Sequence, residues 1–531
     1  LERIDLSVNK LKSMISISTL MKFANLKSLN ISMNRLEMLK SESFSCLTNL
    51  ESLILHDNNI KTIEPNAFKN LVKKNSTITN LDFGSNPIES LTKNIFDRLN
   101  NLNLLTITNS RLKSLNLSHF QGLSNLAILT VKENSHLHAI EDMSFVNLTD
   151  LVELDLSYNN LTEIAANAFN CLFRLNDLKL NSNSIERLHR DQFASLKSLI
   201  SLNLSQNRLK RIEPGSFNGL ASLKSLFIYE NKLSSLDNDD DDGSNLFEGL
   251  TELTLLNLSS NQITKCGANH FRDLANLNEL NLSSNLLDER SINAELFGNL
   301  SALSTLILSN NQMKTINGST FSALINLKTL EMLNNKLTHI DDNAFESLLN
   351  IELICLGSNH LTELNAHLFN YFNRNNPSLL LNLSLCNNNL VELNENAFSS
   401  LVNLEILNLD SNRLIQLGQN CFGGLGKLLE LKISNNLIDH LDSAIFKPLS
   451  NLHSLDLSNN SLDELDLSLL NDLDHLTTMT MKNNRIKSIL IGNESIYHRH
   501  LLRSLNLSFN DLETIECSLS CFRNLHTIHL N

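Results

Sequence analysis

The sequence is short of the features that most often mark a site of chemistry or a membrane passage. It has no tryptophan, four tyrosines and eight cysteines in 531 residues. Positive charge is also in deficit: 43 Lys and Arg stand against 57 Asp and Glu, a formal charge of −14. Such an anion is not drawn to phosphate backbones or acidic membranes, so no nucleic-acid partner is expected. No apolar run approaches the ~18 residues that a membrane helix needs, and no basic-then-apolar leader opens the chain. Membrane attachment is therefore expected only through an anchor outside this segment. A phosphate-cradling Gly-Lys-Ser/Thr loop, a Gly-x-Ser-x-Gly elbow and a His-Glu-x-x-His pair are all missing, and no catalytic residue or cofactor is expected.

What is present is a repeat. The pattern L-x-x-L-x-L-x-x-N-x-L fits Leu151 to Leu161, Leu199 to Leu209, Leu452 to Leu462 and Leu502 to Leu512, and most units start about 24 residues apart. Inside each unit the L-x-L core alternates with period two, as a short strand does when one face is buried and the other wet. A single unit cannot bury its own leucines, whereas three or more stacked units can. The expected fold is a leucine-rich-repeat solenoid, a curved horseshoe with a parallel β-sheet on the concave face and irregular loops and short helical turns on the convex face. One continuous array of about 21 repeats should run through residues 1–531 with no capping domain, and at ~4.8 Å per strand its inner arc spans roughly 100 Å. The array opens within a repeat at Leu1 and closes within another at Leu525 to Ile528, so native termini are expected to lie beyond both ends. The Asn after each strand (Asn34, Asn58, Asn159, Asn207, Asn412 and others) should form an internal ladder satisfying backbone groups. A second recurrence, F-x-x-L at Phe44, Phe68, Phe120, Phe145 and onward to Phe522, should stack as a convex-side spine; Phe369 keeps the place but is followed by Phe372 instead of Leu.

The cysteines give no disulfide framework. Cys421 and Cys521 precede a spine Phe, and Cys46 and Cys171 follow one, which suits core packing. Cys355 and Cys386 fall on adjacent strands two places out of register, beyond the ~7 Å Cα reach of a disulfide. Cys517 and Cys521 are the local pair that could close a bridge. Asn238-Asp239-Asp240-Asp241-Asp242-Gly243 resembles the start of a calcium loop, but Gly249 stands where the bidentate Glu belongs, so it reads as a solvated acidic excursion. His136/His138 and His498/His500 lack the further ligands of a zinc set, and no metal is expected.

The unit from Leu223 to Leu233 resembles the extracellular leucine-rich repeat of Toll-like receptors and chaoptin-type adhesion proteins, and the resemblance extends over essentially the whole chain. The Cys-rich amino-terminal cap and the Cys-and-Trp carboxy-terminal cap of such ectodomains are not found here. The resemblance implies a protein-binding ectodomain of a cell-surface receptor or adhesion molecule, in Toll-like signalling or cell-cell recognition, with a protein ligand or co-receptor and dimerisation open. A secreted binding or matrix protein and a cytosolic enzyme inhibitor are the alternatives.

Fourteen Asn-x-Ser/Thr acceptors support an extracellular or cell-surface location: Asn30, Asn75, Asn116, Asn147, Asn160, Asn203, Asn257, Asn281, Asn299, Asn317, Asn382, Asn459, Asn493 and Asn506. For partner contact, most repeats offer only Ser, Thr and Asn at the solvent-facing strand places. The exceptions cluster at Glu153, Asp155 and Tyr158, then Lys179, then Lys224, Phe227, Tyr229 and Glu230, where an exposed Phe and Tyr would need cover. A glycan on Asn203, between Lys179 and Phe227, would obstruct that patch and turn partners to the longer loops at 73–77, 237–245, 370–378 and 492–500.

Overall fold

A computed structural model describes the whole chain except residues 14–22, 24, 45–46, 72–76, 98, 237–244, 366, 374–377, 491–500 and 516–523. Two compact units are present, Leu1–Leu277 and Asn278–Asn531. Each is a parallel β-solenoid. Among the described residues the first contributes eleven three-residue strands, one per repeat, to its main sheet, from Arg3–Asp5 to Leu255–Asn257; the second likewise contributes eleven, from Glu279–Asn281 to Thr527–His529. Neighbours pair in parallel with strict correspondence, as Glu153, Leu154 and Asp155 do with Asp177, Leu178 and Lys179. The middle residue of almost every such strand is buried and its two flanking residues are half-buried, the alternation the sequence implied. The return side of the repeats is less irregular than the sequence suggested. Two-residue parallel strands recur there, such as Ala139–Ile140 between Ser114–Leu115 and Glu163–Ile164, beside 3-10 turns at Lys69–Leu71, Asn370–Asn373 and Leu467–Leu470.

The asparagine ladder is present, and its chemistry explains why this residue recurs. Asn207 donates its side-chain NH2 to the carbonyls of Leu204 (3.1 Å), Ser205 (3.2 Å) and, one repeat earlier, Leu180 (2.9 Å), while its Oδ1 accepts the N–H of Ile185 (3.0 Å). Only a carboxamide offers two donors and an acceptor at once without charge. Asn183, Asn231, Asn261, Asn311 and Asn412 repeat the set. Ser110 takes the ladder place in one repeat.

Immediately before the ladder residue the backbone turns left-handed in repeat after repeat: Asp57, Ser85, Asn109, Ser182, Asn310 and Asn435 all have φ between 47° and 58°. Asn, Asp and Ser tolerate that conformation; branched and aromatic residues do so at a cost. Behind the ladder the phenylalanines stack with centroids 5.7 Å apart for Phe120 and Phe145 and 6.1 Å for Phe145 and Phe169. Phe372 stacks on Phe369, filling the place of the missing Leu. Phe83, not foreseen as a spine member, enters from a strand-side position to contact Phe68 and Phe96. Cys421 is fully buried as expected, and burial pushes its thiol pKa up to about 12. Cys171 differs: it is half-buried in a left-handed turn (φ 75°) and not part of the core.

Candidate functional site

With the leucines, phenylalanines and ladder asparagines consumed by the core, the side chains left on the sheet face are those that flank each buried strand centre. In the first unit they form a continuous row, because parallel register sets Asp155 beside Lys179, Lys179 beside Asn203, Asn203 beside Phe227 and Phe227 beside Asn257. The Lys179 ammonium lies 2.7 Å from Glu153 Oε1 and 3.2 Å from Asp177 Oδ2. Partial burial works against its charge, but hydrogen bonds and charges from Glu153 and Asp177 outweigh that and raise its pKa above the ordinary lysine value. Asp177, the second partner, was not singled out from sequence, although its i−2 placement puts it on the same strand face as Lys179.

Beside this row runs a chain of exposed hydrogen bonds across three repeats: Ser182 Oγ donates to Gln206 Oε1 (2.7 Å), and Gln206 Nε2 donates to Glu230 Oε2 (3.0 Å). The aromatic expectation needs correction. The strand ends at Phe227, with Tyr229 beyond it, and both rings are half-buried. Of the three rings in this cluster the exposed one is Tyr158, with 55 % of its surface open to solvent. It occupies the left-handed place (φ 55°) that most repeats give to Ser, Asn or Asp, so an aromatic there is strained as well as uncovered. Lys224 is exposed just ahead of its strand, and Glu230 shares the left-handed conformation (φ 54°).

The acceptor asparagines divide by environment. Six of them, Asn30, Asn116, Asn203, Asn257, Asn281 and Asn506, hold the Ser two residues on: Asn203 Oδ1 accepts Ser205 N–H (3.1 Å) and Oγ–H (2.6 Å), and Asn257 and Asn281 repeat this with Ser259 and Ser283. Asp155, Asp5 and Asp456 make the same turn. The triplet at these places is thus a structural turn that either Asn or Asp can form. In Asn203, Asn257 and Asn281 only the oxygen takes part, and the Nδ2 that would carry a glycan has no protein acceptor among the described residues. Asn160, Asn299, Asn317 and Asn459 are exposed, while Asn147 and Asn382 are half-buried. Asn75, Asn493, Cys46, Cys517, Cys521, Phe522, His498, His500 and most of the four longer loops, including the acidic excursion, lie outside the described residues.

In the second unit an open recess of about 540 Å³ lies against the ladder, lined by Asn310, Gln312, Asn334, Lys336, Ser358, His360, Asn387 and Asn389 among others. Sequence reasoning missed it; the signal was the recurrence of a polar side chain on both sides of the ladder Asn in four successive repeats, from Asn310 and Gln312 to Asn387 and Asn389. Among the described residues no three His, Cys, Asp or Glu side chains gather as a metal-binding set, and no helix is long and apolar enough to cross a membrane.

The leucine rich repeat family matches residues 24–73, 124–185, 173–233, 378–438 and 427–486, together about half of the chain. The chain belongs to the leucine-rich repeat family. A BspA type leucine rich repeat region of six copies matches residues 243–376 of this leucine-rich repeat protein as well. Solved structures similar to it include Toll in the Toll–Spätzle complex of Drosophila, with TM-score 0.67 and 21 % identity over 90 % of this chain and 60 % of that one. Another is the TLR13–ssRNA13 complex, with TM-score 0.52 and 22 % identity over 92 % and 89 % of the two chains. A leucine-rich repeat protein of Leptospira interrogans gives TM-score 0.59 and 24 % identity over 88 % and 99 %. No curated protein sequence matches the chain significantly.

Proposed function

We propose that this leucine-rich repeat protein is the partner-recognising part of a cell-surface receptor or adhesion molecule, that its ligand is a protein, and that it performs no catalysis. The observation that carries the reading is Tyr158. A large ring kept uncovered in a left-handed turn that most repeats give to Ser, Asn or Asp, Phe509 being the other aromatic at that place, costs stability and gains nothing within the chain. It stands beside the row Asp155, Lys179, Asn203 and Phe227, which supplies paired charges and a half-buried ring, the mixture of aromatic anchor and charged neighbours typical of binding hot spots. The extracellular location is supported by exposed acceptors such as Asn160, Asn299, Asn317 and Asn459 and by the fold shared with Toll, which in its solved complex engages Spätzle.

The test is a screen of the purified chain as a soluble probe against an array of secreted proteins and membrane ectodomains. A partner whose affinity falls tenfold or more with Tyr158→Ala or Lys179→Ala supports the reading. Partners indifferent to every substitution on the strand row, or no partner at all, would overturn it.

A further inference from the structure

On the rim of the first unit, away from the strand row, three successive repeats concentrate basic side chains in an otherwise acidic chain. Arg187 and Arg211 stand directly opposite each other in the parallel pairing of Arg187–Leu188 with Arg211–Ile212. Arg208 and Lys232 occupy equivalent places, each just after a ladder asparagine, and Lys210 lies against Glu186 (2.9 Å). Three carboxylates of the neighbourhood have partners: Glu186 pairs with Lys210, Glu213 lies against His189 (3.3 Å) and Asp191 against Arg190 (3.7 Å). Arg187, Arg208, Arg211 and Lys232 are exposed and form no ion pair with the described residues. Their convergence is felt at Glu186, whose pKa is held down first by the Lys210 hydrogen bond and charge, then by Arg208 and Lys232.

Like charges set directly across a strand pair destabilise the fold, so two arginines in register are better suited to an external anion than to the chain itself. We propose that this rim docks a sulfated polysaccharide. The partner's chemistry follows from what surrounds the charges. No exposed large apolar side chain lies at 184–190, 208–213 or 232–236, so a protein partner finds no anchor for a hot spot. The same segments contain no Phe, Tyr or Trp on which successive single-stranded bases could stack. What remains is a strip of guanidinium and ammonium groups repeated at the ~4.8 Å spacing of neighbouring strands, matched to a polymer with closely repeated anionic groups.

The experiment measures binding of the full chain to a size-defined heparin oligosaccharide over a range of salt. Arg187→Ala, Arg208→Ala, Arg211→Ala and Lys232→Ala are combined in one variant, and a control variant removes the same charge elsewhere through Lys61→Ala, Lys113→Ala, Lys314→Ala and Arg413→Ala. All eight side chains are exposed, so both variants should fold, and far-UV circular dichroism verifies it. The expected result is salt-sensitive binding that weakens about tenfold or more in the rim variant, with a log–log salt slope lower by roughly one per side chain removed, and little change in the control. Binding lost equally in both variants, binding unaffected by desulfation of the oligosaccharide, or tighter binding of a poly(U) strand of equal charge would overturn the proposal.

Discussion

Replacing Asn207 with Ala tests whether the ladder carries the solenoid. The side chain is buried and engaged in four hydrogen bonds. Its three acceptor carbonyls are not left empty by the change: Leu180 still accepts from Asn183 and Leu204 from Asn231, and Ser205 still accepts from the Ser182 N–H. The N–H of fully buried Ile185 is different, since its acceptor is the Asn207 oxygen. Stranding one buried donor costs about 1–3 kcal/mol, and the weakened carbonyl set adds roughly 1 kcal/mol, so the substitution should cost about 2–4 kcal/mol. Because each repeat is stabilised through its neighbours, the damage should spread to adjacent units. With no tryptophan to report unfolding, urea titration followed by far-UV circular dichroism is the assay, with hydrogen exchange at the Ile185 amide as the local readout. Asn160→Ala, at an exposed asparagine bonded to Ser184, should cost no more than about 0.5 kcal/mol. If the two substitutions shift the urea midpoint equally, or the Ile185 amide keeps its protection without Asn207, the reasoning fails.

Other consequences follow from single residues. Tyr158→Asn should raise stability by about 0.5–1 kcal/mol by relieving the left-handed turn, while weakening partner binding; a loss of stability in the urea midpoint would refute the strain. His119, directly before Phe120, accepts the Asn116 N–H at Nδ1 (3.3 Å), and burial lowers its pKa against the opposing charge of Glu141. Its folded state therefore binds fewer protons than the unfolded chain, and its contribution to stability should be complete above about pH 6.5 and fade as pH falls from there through the folded value. Gln192 fills the same place before Phe193 without titrating, so His119→Gln should flatten that part of the stability-pH curve while keeping the cap. Cys421 should resist alkylation by iodoacetamide at pH 8 in the folded chain and react once urea unfolds it, as its high pKa and complete burial require; fast native labelling would contradict its placement.

The sequence made the solenoid legible because its signals are periodic and local. The strand leucines, ladder asparagines and spine phenylalanines each recur at fixed offsets, and each meets one physical demand at one place in the repeat. Phe83 escaped because it substitutes for a strand leucine, and its inward reach to Phe68 depends on two neighbouring repeats. The face was half legible. Glu153, Asp155 and Lys179 stood out as departures from Ser, Thr and Asn, yet the pairing of Lys179 with Asp177 and the burial of Phe227 and Tyr229 depend on cross-repeat register and turn geometry. Tyr158 was visible as an aromatic, but its strain was not, because a left-handed φ is a property of the backbone. The Asn-x-Ser triplets show the opposite limit. Read as acceptors for glycans they look alike, whereas the structure gives six of them a turn that Asp155 makes equally well. Counting them overstates the case for a secreted protein; Asn160, Asn299, Asn317 and Asn459 bear the weight of it.

That distinction makes the decisive measurement specific: peptide mass spectrometry of the protein from its native source, before and after enzymatic removal of N-linked glycans, combined with labelling of intact cells by a membrane-impermeant reagent. The account predicts surface labelling and glycans on the exposed set Asn160, Asn299, Asn317 and Asn459. A mass equal to that of the bare chain, with no labelling of intact cells and no secreted protein in the medium, would contradict an extracellular recognition protein and favour an inhibitor working inside the cell.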